Sequence, residues 1–309
     1  MHIHVHHLKK HYGRTRAVDD VSFSFSSGEI VGFVGPNGAG KSTTMRIIAT
    51  LDEPTSGDVF LDDLSVVQDP DKAHRLIGYV PDALPSHRDI SVHEYLDFFA
   101  RAYGIRAAAR KKVVESIEEF TNLLGIREKH LNALSKGMKN RVSVARALVH
   151  DPAVLVMDEP AAGLDPRARI ELRELLKVLC GQGKAILISS HILTELAEIC
   201  TAAVIIERGK ILRAGSLAHI LTADKPHRTV LIRTLDEPEL LHKDLLLRPN
   251  IEAARRIDHT VEVDVAGGEE ACWELLAHLV QSGYRIVEFH QQRAGLEELF
   301  MNVTRGEVQ

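Results

Sequence analysis

The feature that most constrains the fold is the stretch Gly35-Pro-Asn-Gly-Ala-Gly-Lys-Ser-Thr43, which matches the pattern G-x-x-x-x-G-K-[ST]. An apolar run at residues 30–34 precedes it, and a segment that reads as helix, residues 43–51, follows it. The sequence therefore predicts a strand, a tight glycine-rich loop and a helix in direct succession, which is a building unit of α/β folds.

This loop has the composition of a phosphate-binding loop. We expect Gly35, Gly38 and Gly40 to adopt φ > 0, so that successive N–H groups point into one concavity at a helix N-terminus, where the helix dipole favours an anion. Lys41 would then reach the β- and γ-phosphates, and Ser42 would ligate Mg²⁺. The alternative is a glycine-rich turn that binds no ligand, but the flanking strand and helix favour a nucleoside triphosphate site.

Composition limits the class of protein. A chain of 309 residues is long enough for about two domains. The net charge of −5, with acids and bases interspersed, disfavours a nucleic-acid partner. The cysteines lie far apart without C-x-x-C spacing, which argues against a zinc site and fits the reducing cytosol. No apolar run approaches the ~20 residues of a spanning helix, so a membrane process would require another chain for its membrane part.

Two antiparallel strands are predicted ahead of the phosphate loop. Polar and apolar residues alternate from His2 to Leu8, a turn follows at Tyr12-Gly13, and a second alternating strand closes at Ser27-Gly28. Four histidines lie in the first strand and could be read as a metal site. The alternation instead places those at positions 2, 4 and 6 on the solvated face of an edge strand.

The segment from about residue 88 to 150 has the pattern of a helical subdomain. Ser91 and Glu94 form a capping box. The buried face of the helix that follows is predicted from Tyr95, Phe98, Phe99 and Ala102.

Apolar strands at 153–157, 185–189 and 202–207, separated by helices at 166–180 and 192–200, predict a parallel core sheet. Asp158 and Glu159 stand immediately beyond the first of these strands, at the sheet edge where the phosphate loop also lies. Asp158 would be an outer ligand of Mg²⁺, and Glu159 would act as general base toward water. The alternative is two acids in an ordinary strand-to-helix turn.

The pattern breaks near residues 222–227, where Lys225-Pro226 marks a boundary. Beyond it the predicted order is β-α-β-β-α-β, similar to a small ferredoxin-like layer, followed by a helix at 295–304. The apolar stripe of that last helix is expected to face a core rather than another subunit; its members are Leu296, Leu299, Phe300 and Val303.

Taken together, the motifs resemble those of the ATP-binding-cassette (ABC) ATPases, in the same order. They are the Tyr12-Gly13 turn, Gly35 to Thr43, Leu134-Ser-Lys-Gly-Met138, Val154 to Pro160, Gly163-Leu-Asp-Pro166 and Ser189-Ser-His191. The resemblance covers residues 1 to about 222. It is most detailed with the ATPase subunits of ABC-2-type exporters, many of which carry a Ser-Lys-Gly-Met signature and end in a segment like Leu296-Glu-Glu-Leu-Phe300. It implies a P-loop α/β fold with a parallel core sheet, an antiparallel β layer and a helical subdomain.

The resemblance also implies the nucleotide contacts. Tyr12 would stack on adenine, and His191 would contact the γ-phosphate and hold the attacking water. The phosphates would be surrounded by Gly35, Pro36, Asn37, Gly38, Ala39, Gly40, Lys41, Ser42 and Thr43.

In the family, the signature loop serves the nucleotide of a second subunit. Ser135 and Gly137 would therefore contact ATP across a dimer, with Asp165 at the seam between the two sites. One chain holds one phosphate loop and one signature, so two complete sites require a homodimer through the ATPase domain.

Two departures from the family pattern stand out. Asp82 occupies the place of a glutamine; it can still ligate Mg²⁺, but its shorter reach and added charge affect the geometry of coupling to a membrane partner. Lys136 and Met138 replace the glycine and glutamine of the commonest signature, while Ser135 and Gly137 remain.

The function implied is ATP hydrolysis that drives a separate membrane permease from the inner face of the cell membrane. Residues 1–222 would form the ATP-binding domain, and residues 226–309 an accessory or dimerisation domain. The alternatives are a soluble mechanochemical ABC protein and an ATP-dependent regulator. Tandem cassettes or a long coiled-coil insertion, usual in the former, are lacking, and the acidic balance disfavours a nucleic-acid partner.

Overall fold

The computed structural model describes residues 1–84, 89–190, 193–222 and 227–291. These residues form two compact units, one that ends at Ile220 and one that begins at Leu221. Each unit has its own hydrophobic core.

The first unit contains two sheets. In chain order its strands are β1 (His2–Tyr12), β2 (Thr15–Ser26), β3 (Ile30–Val34), β4 (Ser56–Leu61), β5 (Leu64–Ser65), β6 (Ile77–Val80), β7 (Val154–Met157), β8 (Ala185–Ser190), β9 (Ala202–Glu207) and β10 (Lys210–Ser216). Its helices are α1 (Lys41–Ile48), α2 (Pro70–His74), α3 (Val92–Ala102), α4 (Ala107–Phe120), α5 (Lys136–Leu148), α6 (Pro166–Gly181) and α7 (Leu193–Ile199), and α8 (Leu217–Thr222) contains the boundary between the two units.

The core sheet has the order β10-β9-β3-β8-β7-β6. Every neighbouring pair is parallel except β9 and β10, which form an antiparallel hairpin. Because β3 and β7 are parallel and separated by β8 alone, the loop after β3 and the acids after β7 emerge at the same sheet edge. The predicted α/β fold with a parallel core sheet is confirmed.

The antiparallel layer has the order β2-β1-β4-β5. The prediction of an edge strand for the histidine segment was wrong, because β1 pairs with β2 on one side and β4 on the other. The alternation itself holds: Ile3, Val5 and Leu8 are buried, whereas His2 and His6 are exposed. Across the described residues, no group of three or more His, Cys, Asp or Glu side chains is arranged to hold a metal ion.

The helices α3, α4 and α5 share a hydrophobic cluster that includes Tyr95, Leu96 and Val142. Ser91 caps α3 as predicted: its hydroxyl accepts from the Glu94 amide at 3.2 Å, and the Glu94 carboxylate accepts from the Ser91 amide at 2.8 Å. The predicted buried face was wrong at Phe98, which is 58% exposed, and at Ala102, which is also exposed, because the buried face contains Leu96 and Ala100 instead.

The second unit is an antiparallel sheet with two helices. Its elements are β11 (His227–Thr234), α9 (Pro238–Leu246), β12 (Ile251–Ile257), β13 (Thr260–Ala266), α10 (Glu269–Gln281) and β14 (Ile286–Gln291). The sheet order β12-β13-β11-β14 is that of a ferredoxin-like layer, as predicted. The last predicted helix, residues 295–304, lies outside the described residues.

Candidate functional site

The phosphate loop joins β3 to α1, and two of its glycines have the expected left-handed backbone. Gly38 has φ 78° and Gly40, the N-cap residue of α1, has φ 101°. The prediction of φ > 0 was wrong for Gly35. There the structural requirement is space, because a Cβ atom on Gly35 would lie 2.3 Å from the backbone oxygen of Ile206 in β9. The loop is therefore packed directly against the neighbouring strand.

Lys41 begins α1 and points back into its own loop. Its Nζ donates to the backbone oxygens of Gly35 at 2.7 Å and Pro36 at 3.1 Å. The side chain is buried, and this burial lowers the pKa of the Lys41 ammonium, although the charges of Glu159 and Asp158 oppose the effect. A phosphate oxygen that binds Lys41 would share or replace these two carbonyl contacts.

The two acids after β7 are linked through one hydroxyl of the adjacent strand. Ser189 in β8 donates to Oδ1 of Asp158 at 2.7 Å and accepts from the backbone amide of Glu159 at 2.8 Å. Asp158 and Ser189 are both buried. Glu159 has φ 49°, a left-handed conformation that a residue with a side chain rarely adopts. Such backbone strain is typical of functional sites, and here the Ser189 hydrogen bond helps to hold it.

One cavity of about 640 Å³ joins the phosphate loop to these acids. Its lining contains most of the predicted site residues: Tyr12, Asn37, Gly38, Ala39, Gly40, Lys41, Ser42, Thr43, Asp82, Asp158 and Glu159. Thr15, Ala17 and Ala162 also line it and were not predicted. The sequence thus identified nearly all of the side chains that surround this cavity.

The donor set suits Mg²⁺. Ser42, Asp82 and Asp158 contribute a hydroxyl and two carboxylates to the lining of this cavity, and this hard cation prefers oxygen ligands. Two carboxylates are the usual protein share where substrate phosphates and water complete the coordination.

Tyr12 stands at the rim of the cavity and is held at its hydroxyl. The Tyr12 hydroxyl donates to Oδ2 of Asp52 at 2.5 Å, and the ring is 49% exposed. Hydrogen bonding to Asp52 is the largest cause of a raised Tyr12 pKa. Sequence reasoning missed two contacts of the site: the hydrogen bond of Asp52 to Tyr12, and the hydrogen bonds of Ser189 to Asp158 and Glu159.

The signature residues lie apart from this cavity. Ser135 caps α5 by accepting from the Met138 amide at 3.3 Å, and Asp165 caps α6 by accepting from the Ala168 amide at 2.9 Å. Neither they nor Gly137 belong to the lining of the phosphate cavity. His191 lies outside the described residues.

Asp82 also borders a second cavity of about 370 Å³ on the side of the helical region. Lys136, Lys139 and Asn140 of α5 line it together with Glu159. Asn140 donates to the backbone oxygen of Pro160 at 2.7 Å, so α5 is tied to the segment that carries the acids. In the parts of the chain with a described structure, no helix is both long and apolar enough to span a membrane.

Comparison with known proteins agrees with this geometry. A family model described as ABC transporter matches residues 18–162. The Nod factor export ATP-binding protein I of Burkholderia orbicola is 34% identical over 309 residues, covering 98% of this chain and 96% of the relative. The linearmycin resistance ATP-binding protein LnrL of Bacillus subtilis is 29% identical over 299 residues, covering 96% of each chain.

Solved structures agree as well. An ATP-binding subunit of an ABC transporter is 30% identical with a TM-score of 0.65, and the match covers 71% of this chain and 92% of that one. A dimeric ATP-binding cassette bound to ADP and Pi is 26% identical with a TM-score of 0.64, covering 70% and 98%. With a phosphate loop, a linked acidic pair and near full-length relatives of this kind, the chain belongs to the ATP-binding proteins of ABC transporters, and it is an ATPase.

Proposed function

We propose that this protein is the ATP-hydrolysing subunit of an ABC-2-type exporter and that it drives a separate membrane permease through ATP-dependent dimerisation. The observation that carries the proposal is the cavity in which the phosphate loop meets Asp158 and Glu159. The near full-length relatives are named for export and for resistance, which supports the exporter class.

Within this proposal the phosphate loop binds the triphosphate and Glu159 carries the proton chemistry. Lys41 and the loop amides hold the β- and γ-phosphates, and the Glu159 carboxylate accepts a proton from the water that attacks the γ-phosphorus. The bond from this phosphorus to the bridging oxygen breaks, which yields ADP and phosphate. When bound through Ser42, Asp82 and Asp158, Mg²⁺ supplies charge neutralisation at the phosphates. His191 is assigned to the γ-phosphate and the water.

A second copy of the chain completes each site. Ser135 and Gly137 stand at the N-terminus of α5 but outside the lining of the phosphate cavity of their own chain. A helix N-terminus suits a γ-phosphate because the helix dipole favours an anion there. We therefore assign these two residues to the nucleotide of the partner copy, with Asp165 at the seam.

The membrane partner is a permease with cytoplasmic helices that dock on the helical region near Asp82. The second cavity supports this assignment, because it lies between Asp82, α5 and the segment of Glu159. Movement of a docked helix there would reach the general base directly through the Asn140 to Pro160 hydrogen bond. The working position of the subunit is accordingly the inner face of the cell membrane.

The ferredoxin-like unit is proposed as an accessory dimerisation domain. On α10, Trp273, Leu276, Ala277 and Val280 recur at i, i+3, i+4 and i+7, beside the stripe that is buried in the core. Trp273 is 67% exposed and Val280 57%. Two α10 helices packed antiparallel would bury this stripe.

A pull-down tests the transporter assignment. Glu159→Gln, purified from native cells in mild detergent with Mg·ATP, should bring a polytopic membrane protein in equal amount. Lys41→Ala, which cannot bind ATP, is the matched control and should bring less. Recovery of ribosomes, or of this chain alone, from a preparation whose wild type hydrolyses ATP would favour the soluble switch instead.

A further inference from the structure

Tyr12 is held by a polar cluster that the nucleotide-binding motifs do not include. One carboxylate oxygen of Asp52 accepts a hydrogen bond from the Tyr12 hydroxyl at 2.5 Å. The other oxygen accepts a hydrogen bond from the Lys10 ammonium at 2.7 Å. Lys10 also stands over the Tyr12 ring, with its Nζ 5.0 Å from the ring centroid. The phenol, the carboxylate and the ammonium therefore contact one another, and we call these three side chains the Tyr12 anchor.

The backbone around Asp52 is fixed to both the phosphate-loop helix and the antiparallel layer. The Leu51 amide donates to the Arg46 oxygen in the last turn of α1, at 2.8 Å. Lys10 donates to the Glu53 oxygen at 2.6 Å, and the Thr55 amide donates to the Lys9 oxygen at 2.7 Å. Asp52 thus connects α1, which begins in the phosphate loop, to the ring of Tyr12 at the rim of the phosphate cavity.

The electrostatics of the anchor keep it formed at neutral pH. Burial alone would raise the pKa of Asp52, but the hydrogen bonds from Lys10 and Tyr12 outweigh burial and hold that pKa below its ordinary value. The side chains of Asp52 and Lys10 are only 20% and 14% exposed, so bulk solvent screens their attraction weakly.

We propose that Asp52, with Lys10, is a positioning residue that fixes the ring of Tyr12 in the plane needed to stack on the nucleotide base. The inference rests on the proposed function, in which Tyr12 binds the base. A half-exposed tyrosine ring without a partner for its hydroxyl would sample several rotamers, and binding would have to order it. Because the Lys10 ammonium covers one face of the ring, the base stacks on the opposite face.

The test separates base binding from phosphate binding. Asp52→Ala should weaken ATP binding about threefold to tenfold and raise KM with kcat unchanged, the range expected when one side chain must be ordered on binding. Binding of tripolyphosphate, which has no base, should stay at the wild-type value. Tyr12→Phe should reproduce the loss, and the double variant should lose no more than either single variant, since both single changes remove the same Tyr12–Asp52 hydrogen bond.

Matched controls keep the result interpretable. Asp63→Ala removes an exposed acid from the turn between β4 and β5 and should leave ATP affinity unchanged. Asp52→Asn, which keeps an acceptor oxygen, should recover part of the loss. Wild-type ATP affinity in Asp52→Ala, or an equal loss for ATP and tripolyphosphate, would overturn the positioning role. If the wild-type protein binds ATP no more tightly than tripolyphosphate, the base contributes nothing to affinity. In that case the error lies in the proposed function, which assigns Tyr12 to the base.

Discussion

His150 should make the stability of the first unit depend on pH in a narrow window. His150 lies just beyond the end of α5. Its ring stacks on the ring of Tyr103, with the ring centroids 3.8 Å apart and an angle of 8° between the ring planes. Its Nε2 lies 3.0 Å from the backbone oxygen of Ile77, which identifies this nitrogen as the protonated donor. Its Nδ1 is buried with no hydrogen-bond partner among the described residues. A second proton would therefore be placed on a buried nitrogen without an acceptor.

The magnitude follows from the pKa. Burial lowers the pKa of His150 from 6.5 to about 4. Because the folded pKa lies below the unfolded one, the unfolded chain binds more protons between these values, and stability falls as pH falls through the window. Relative to pH 7, the loss at pH 5 is at most about 2 kcal/mol. Solvent access to part of the ring reduces the expected loss to about 1 kcal/mol.

The assay compares wild type with His150→Phe in urea denaturation at pH 7 and pH 5. Phenylalanine keeps the stacking and cannot titrate, so the variant should be less stable at pH 7 but should lose about 1 kcal/mol less on acidification. Circular dichroism is the suitable signal, because the single tryptophan, Trp273, lies in the other unit. Parallel stability curves for the two proteins would refute the reasoning, since all other titrating groups are shared.

Further predictions concern the site and the second unit. Glu159→Gln should keep ATP affinity and lose at least about 100-fold in phosphate release; wild-type turnover would remove this residue from its role. Gly35→Ala should abolish ATP binding and lower the unfolding temperature of the first unit by several degrees, because the new Cβ would lie 2.3 Å from a β9 carbonyl, an overpacking cost of about 1–3 kcal/mol. Gly125→Ala, where a Cβ would meet no atom within 4 Å, is its control. Trp273→Glu should lower the dimer fraction measured by light scattering in the absence of ATP; an unchanged dimer fraction would exclude α10 as a contact.

Local patterns predicted most of the fold. The capping box at Ser91, the buried strand before Asp158 and the order of elements in the second unit all depend on residues within a few positions of each other, and all three are found. The hairpin partner β10 was missed, since exposed and half-buried residues alternate along it without a strong apolar signal.

Long-range neighbours were beyond local pattern reading. The pairing of β1 with β4 joins residues between 47 (Lys9 with Ser56) and 58 (Ile3 with Leu61) positions apart, so no local pattern places β1 inside its sheet. The same holds for the site: Tyr12 meets Asp52 at a separation of 40 residues, and Glu159 meets Ser189 at a separation of 30. A motif names residues that contact a ligand, whereas the groups that hold those residues follow from the packing of distant strands.

The hydroxyl of Ser189 bears on how amino-acid substitutions in this family are interpreted. It contacts both the carboxylate of Asp158 and the backbone of Glu159, although it does not belong to the lining of the phosphate cavity. Loss of this hydroxyl would therefore disturb Asp158 and Glu159 at once. The variant would then resemble a protein in which both acids are impaired. A sequence change at a position with no ligand contact can, in this fold, have the phenotype of a change in the active site.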